Sequence, residues 1–422
     1  MPVLRPTHRD LLRFGAAGAA GLVVPRARAE VSAADRKFVF VLACGGWDPT
    51  RVFADGFDHD IVDMEASASR ATTGGLTWVD APSRPSVRAF FEQYADRTAL
   101  VEGLLVPSIA HEACFALSLT GSPVDTGSDW PAILGGARFS KYVAPTLVLG
   151  GPYFPGAWSS AVVQTGAKGQ LTDLLNGGYD SWDGSTGAVP PAGAEQLVDR
   201  WVRGRIAAES AGAGSTARRD VLSATATAAD QLAGLQGLRH EITFSSISDL
   251  GDSVQIAANA LHRGLSRVVV LCSPASGDRQ WDTHVTNDDL QDFLFEGLFD
   301  DLNTLLFLLE TLPGEVAPTL LEETTVVVYS EMGRTPWLNA AAGKDHWPFT
   351  SAMLVGSGVR GGAMIGGFDD GWYGESIDPE TGDVDAGGVP MSCAALGATI
   401  LALGDVDPGD YVEAAPIPAL MA

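Results

Sequence analysis

Four places in the chain put an acid or imidazole group just beyond a run that reads as a buried β-strand. Asp48 follows the apolar stretch KFVFVLACGGW. Asp282 and His284 follow SRVVVLC across a short loop. Glu331 follows TTVVVYS directly, and Asp345-His346 stand one small-residue loop further on. In an open α/β sheet ligands bind outside the carboxyl ends of the strands, so these side chains are candidates for one site. A mixed set of imidazole and carboxylate suits zinc, manganese or another divalent ion better than magnesium or calcium, which prefer all-oxygen shells. An Asp-x-His pair in an extended turn can send both side chains to one side, as metal ligation needs. Arg334 adds a guanidinium fit to clamp an anion. Two arrangements fit this pattern. One is a metal-loaded site which, with two ions, could clamp an in-line displacement at phosphorus or sulfur. The other is structural, with Glu331 paired to Arg334, His346 satisfied by a local carboxylate and Asp48 capping a turn.

A further imidazole, His111, falls in the first turn of the predicted helix that ends at Gly121. A helix amino terminus binds anions and depresses an imidazole pKa, which would favour a neutral ligand or nucleophile there. A hydrogen-bonded interior histidine is the competing assignment. His240 and His262, near helical stretches with polar neighbours, are assigned to structure.

The elements that must carry these residues alternate. Strands are expected from Lys37, over Thr98 to Leu105, Pro145 to Gly150, Ser266 to Cys272, Thr324 to Tyr329 and Ser351 to Gly356. Helices are expected from Pro85 to Tyr94, from Ala192 to Ala211, from Ala217 to Arg239, from Asp288 to Leu312 and from Ser392 to Leu403. Near-continuous apolar strands interleaved with helices predict an α/β fold with a mostly parallel central sheet flanked by helices. Residues 30–422 are expected to form a single domain, with a loop and helical insertion at about 151–240. No Walker motif, G-x-G-x-x-G or G-x-S-x-G occurs, so a P-loop, a dinucleotide fold and an α/β-hydrolase serine are set aside.

At 422 residues with a formal charge of -25, the chain has no basic surface to displace counterions from nucleic acid or to seek anionic membranes. Any anionic substrate must be held by local positive charge. Residues 1–29 read as an export segment: Thr7-His8-Arg9-Asp10-Leu11-Leu12-Arg13, a weakly apolar run from Phe14 to Val24, and the cleavage pattern Ala27-Arg28-Ala29. The segment resembles a twin-arginine signal with His8 in place of the first arginine. It is too short to span a bilayer, so a periplasmic or secreted protein of a bacterium is expected, not inserted in the membrane after signal removal. The four cysteines, Cys44, Cys114, Cys272 and Cys393, make no CxxC pattern. An oxidising compartment permits disulfides, but their pairing does not follow from spacing.

Taken together, GGWD at 45–48, His111 with Thr120-Gly121, WDTH at 281–284, SEMGRT at 330–335 and GKDHWP at 343–348 resemble the DUF1501 family. That is a group of bacterial, often exported proteins placed near the alkaline phosphatase and sulfatase superfamily. The resemblance implies an alkaline phosphatase-like fold over roughly 37–403. It also implies metal ligands at Asp48, Asp282, His284, Glu331 and His346. The superfamily's serine nucleophile would fall on His111, with Ala110 where an acidic ligand would stand. Met332 occupies the place of a further histidine ligand, which leaves one or two ions. His111 could accordingly be nucleophile, general acid/base, ligand, or the mark of lost chemistry. The implied activity is hydrolysis of a phosphate or sulfate ester, on a small molecule or glycan, with a divalent cofactor, zinc or manganese. A non-catalytic exported binding protein on the same fold is the rival. Trp281 and Trp347 would flank the site, either excluding water or stacking on a substrate ring, or serve the core.

Overall fold

Eight strands build the central sheet, and their directions decide where the site can be. In the computed structural model, residues 31–123, 127–164, 178–180, 186–188, 191–238, 250–274 and 280–422 are described. The export segment at 1–29 and His240 lie outside these residues, as does much of the 151–190 stretch. The strands are β1 (Lys37–Ala43), β2 (Thr98–Leu105), β3 (Thr146–Val148), β4 (Val162–Gln164), β5 (Val268–Ser273), β6 (Thr324–Ser330), β7 (Phe349–Gly356) and β8 (Ala363–Gly366). Their spatial order is β8-β2-β7-β6-β1-β5-β3-β4. β1 lies at the centre, parallel to β6 on one side and β5 on the other. All seven of its residues are buried, as are those of β6, which is why both read as unbroken apolar runs rather than as alternating ones.

Only β7 is antiparallel to its neighbours, β6 and β2. The reversal has a consequence for the site. The excursion 331–348, which joins β6 to β7, stays wholly at the end of the sheet where β1, β2 and β5 also finish. Every candidate residue therefore departs from one edge of the sheet.

The helices are α1 (Pro85–Tyr94), α2 (His111–Thr120), α3 (Trp130–Gly136), α4 (Ala192–Ala211), α5 (Thr216–Leu238), α6 (Leu250–His262), α7 (Asn287–Thr311) and α8 (Cys393–Leu403). α1 and α6 pack on α7, while α2 and α3 pack on α8. α4 and α5 pair with each other. The face that α7 buries, Leu294, Phe295, Leu298, Phe299, Leu302, Leu305, Leu306 and Leu309, recurs at helical spacing. Each such side chain contributes about 1.5–3 kcal/mol. Among the described residues no helix is long and apolar enough to cross a membrane.

Two tryptophans fasten the strand ends to this layer. Trp47 stacks on Phe295 with ring centroids 5.8 Å apart, and Trp281 meets Phe295 edge-on at 4.8 Å. Their indole N–H groups are satisfied, Trp47 donating to Thr350 Oγ1 at 2.9 Å and Trp281 to the Ser273 carbonyl at 2.7 Å. Both rings are fully buried. Trp281 thus belongs to the core and holds no substrate. The turn between β1 and Trp47 must be Gly-Gly. Gly45 sits at φ +130°, and a Cβ there would stand 2.8 Å from the Asp282 amide nitrogen.

Candidate metal and acid–base centre

Three imidazoles converge on one carboxylate at the carboxyl edge. Asp282, beyond the end of β5, presents Oδ1 to His284 Nε2 and to His346 Nε2, each at 3.1 Å, while those two nitrogens lie 3.0 Å apart. Its other oxygen, Oδ2, stands 3.5 Å from His111 Nε2. His346 arrives on the β6–β7 excursion, where it pairs with Arg334 in a two-residue ladder. His111 opens α2, which follows β2.

Every one of the three rings is fixed through its other nitrogen. His111 Nδ1 is 2.8 Å from Glu331 Oε1, His284 Nδ1 is 2.9 Å from Asp345 Oδ1, and His346 Nδ1 is 2.7 Å from the Ile109 carbonyl oxygen. These partners can only accept, so Nδ1 carries the proton in each ring and the tautomer is assigned from them. In His284 and His346 the neutral Nε2 lone pairs then face each other and a carboxylate oxygen at about 3 Å. Such a cluster of acceptors is stable only with a proton or a cation among them. Tetrahedral zinc, with ligand bonds of about 2.0–2.1 Å, sets its ligands roughly 3.3 Å apart; the observed 3.0–3.1 Å spacing is slightly tighter and is also that of hydrogen bonds through a shared proton. A donor set of imidazole nitrogen and carboxylate oxygen, each ring held by an outer partner, is the usual form of a transition-metal site. Ligand atoms of His111, Asp282 and His346 also lie within 4.8 Å of one another.

Charge is arranged to keep Asp282 ionised. Burial alone would raise its pKa. The hydrogen bond and positive charge of Arg334 outweigh burial and hold it at about 2. The His111 pKa is raised: the hydrogen bond to Glu331 outweighs burial, and the charges of Glu331 and Asp282 act in the same direction. This corrects the expectation that the helix amino terminus would depress it. A buried carboxylate at 2.8 Å outweighs the partial charge of a helix end.

Of the residues expected at the site, the structure brings together Asp282, His284, His346 and His111, and it gives three others different tasks. Glu331 is not turned toward Asp282. Its oxygens accept the Gly45 N–H at 2.9 and 3.1 Å and the Ser330 hydroxyl at 3.0 Å, and it orients His111. Arg334 is fully buried and not available as an anion clamp. Its Nε donates to the Gly46 carbonyl, Nη1 to that of Lys344, and Nη2 to those of Gly45 and Trp281 and to Asp282 Oδ1 at 2.5 Å. Asp48 is withdrawn from the site altogether. It is fully buried, and its carboxylate is taken up by Lys344 Nζ at 2.9 Å, Asn287 Nδ2 at 2.8 Å, Thr50 Oγ1 at 2.7 Å and Arg51 Nε at 3.4 Å. Burial works to raise its pKa, but Lys344 and Arg51 hold it well below the usual carboxylate range.

Sequence reasoning named Glu331 and Asp345 among the candidates but not their roles as orienting groups, and it missed the Ile109 carbonyl. Asp345 precedes His346 in the chain yet serves His284, and a backbone carbonyl at Ile109 has no side-chain signature at all. Trp347 packs against Trp337 and Tyr373, with centroids 5.7 and 5.2 Å away.

His111 and Asp282 stand in the wall of a cavity of about 440 Å³, which Phe115, Gln280, Cys44 and Cys272 also line. Its size is that of a small-molecule site. Sheet, helices and site define a protein of the open α/β class with a histidine–carboxylate centre at the carboxyl ends of its strands. Residues 205–413 match the profile of the family described as "Protein of unknown function (DUF1501)".

No curated protein matches the sequence. Several solved structures are similar to it at low identity. The lipoteichoic acid synthase LtaP from Listeria monocytogenes is 10% identical with a TM-score of 0.43, covering 94% of this chain and 80% of its own. A putative sulfatase from Bacteroides thetaiotaomicron is 9% identical with a TM-score of 0.41, covering 92% and 74%. A protein in the alkaline phosphatase superfamily from Vibrio parahaemolyticus is 9% identical with a TM-score of 0.37, covering 90% and 67%.

Proposed function

We propose that this chain is an exported, metal-dependent hydrolase of a phosphate or sulfate ester carried on a small molecule or a glycan. The observation that carries the reading is the fixing of three imidazoles through Nδ1 so that each turns Nε2 toward Asp282. Asp282, His284 and His346 would hold a divalent ion, zinc or manganese by their donor chemistry. Bound there, such an ion would supply Lewis acidity toward an ester oxygen and a lowered pKa for water. It would also supply the local positive charge that an anionic ester needs against a net charge of -25.

The chain's own side chains do the rest. Arg334 keeps Asp282 ionised and pointed outward. Asp345 and the Ile109 carbonyl set the two ligand rings. Glu331 holds the Nδ1 proton of His111, so that Nε2 can give or take a proton as general acid or base. The cavity beside His111 admits the ester, and Phe115 offers it an apolar wall.

The test is turnover of p-nitrophenyl phosphate and p-nitrophenyl sulfate by protein supplied with zinc or manganese, beside Asp282→Asn and His111→Ala. The expected result is hydrolysis of one ester by the wild type, lost on Asp282→Asn and reduced on the order of 10²–10⁴-fold on His111→Ala. Wild-type rates no higher than those of Asp282→Asn, for both esters, sink the proposal. A second reading, a binding protein without turnover, draws on Arg334, whose guanidinium is spent on the chain itself. It predicts ester binding with no product.

A further inference from the structure

At the carboxyl ends of β1 and β5 the sulfurs of Cys44 and Cys272 lie 2.8 Å apart. The backbone imposes this approach. The strands are parallel and in register, Leu42 beside Cys272 and Ala43 beside Ser273, and the Cys44 N–H donates to the Ser273 carbonyl at 3.2 Å. Both are free thiols and half-buried, and both line the cavity that holds His111 and Asp282. A small disulfide that enters this cavity can reach them. Cys114 and Cys393 differ in both respects. They are buried in an apolar cluster with Val106, Leu117 and Met332 and do not line the cavity.

We propose that Cys44 and Cys272 are a redox pair in the cavity wall, closing to a disulfide by exchange with a low-molecular-weight disulfide. The Cys272 thiolate attacks one sulfur of that disulfide and expels the other as a thiol, leaving a mixed disulfide on Cys272. Cys44 then gives up its proton and attacks the Cys272 sulfur, expelling the second small thiol. Two protein thiols and one small disulfide become one protein disulfide and two small thiols. The Cys44 thiol, raised by its hydrogen bond with Cys272, by burial and by the nearby Glu331, stays protonated through the first attack.

The bond would join β5 to the turn that begins at Gly45. That turn carries the amide bound to Glu331 and a carbonyl bound to Arg334. The pairing does not depend on the hydrolase reading, because its readout is covalent.

The experiment reduces the full chain with dithiothreitol, removes the reductant and incubates the protein in oxidised glutathione. It then alkylates the remaining thiols under denaturing conditions and maps peptides by mass spectrometry. The expected product is a linked pair of peptides containing Cys44 and Cys272, with alkylation confined to Cys114 and Cys393. Cys272→Ser should abolish the link, whereas Cys114→Ser should leave it intact. Full alkylation of Cys44 and Cys272, a persistent mixed disulfide without closure, or a link to Cys114 or Cys393 would overturn the proposal.

Discussion

Replacing Glu331 by glutamine keeps the shape of the side chain and removes its charge, which isolates what the carboxylate does for His111. Glu331 is nearly fully buried and accepts from His111 Nδ1, the Gly45 amide and the Ser330 hydroxyl at about 3 Å. Glutamine can still accept from Gly45 through Oε1. The same oxygen faces His111 Nδ1, so that hydrogen bond and the ring tautomer are kept, while the amide NH2 takes the place of Oε2 beside Ser330 Oγ and the charge is lost. A hydrogen bond to a charged group contributes about 1.5–3 kcal/mol, and the variant should lose stability of that order in urea unfolding. The loss carries a pH signature. Because Glu331 raises the His111 pKa, the stabilisation is fully present below the unfolded imidazole value of about 6.5. It fades as pH rises through the higher folded value. The gap between wild type and variant should therefore be widest below about pH 6.5 and narrow as pH rises through the raised folded value. By NMR, the His111 imidazole resonances should titrate at lower pH in the variant. Unchanged His111 titration together with unchanged stability would refute the assignment of Glu331 as the orienting carboxylate.

Two further predictions concern charges around the site. Lys344→Ala should strand the buried Asp48 carboxylate and cost about 3–5 kcal/mol in urea unfolding. Asp48→Asn should be milder and leave metal content unchanged, and metal loss on a well-folded Asp48→Asn would restore Asp48 as a ligand. Asp282, held at about 2 in the folded chain, contributes stability above the unfolded carboxylate value of about 3.9, and that contribution is lost as pH falls through about 2. Asp282→Asn should therefore flatten stability against pH in this acid window, and an identical acid profile would count against the Arg334–Asp282 pair.

The elements were largely legible in the sequence because their signals are local. β1 and β6 show continuous apolar runs, α7 has helical spacing, and α2 ends at Gly121. The convergence at one sheet edge was also legible, since Asp282, His284 and His346 each follow a strand end or the excursion between β6 and β7. Roles within the site were harder. Asp48 and Asp282 both follow a tryptophan after a strand, so their local signals are the same. What separates them is Lys344, nearly three hundred residues from Asp48 in the chain, which claims one carboxylate and leaves the other to the imidazoles. Arg334 looked free for an anion because its partners are mostly carbonyls of turns, which leave no mark in side-chain patterns. The choice between ligand and orienter for Glu331 rested on the same kind of long-range fact, the Gly45 amide and His111 meeting it from two other strands.

If Asp282, His284 and His346 form a site for a divalent metal ion, elemental mass spectrometry of the purified chain will find it. The wild type should carry close to one equivalent of a transition metal, zinc or manganese. That metal should be lost in a His284→Ala/His346→Ala variant that remains folded by circular dichroism. Equal metal in the two proteins, or none in wild type purified and dialysed with both metals present, would contradict a metal site at these residues.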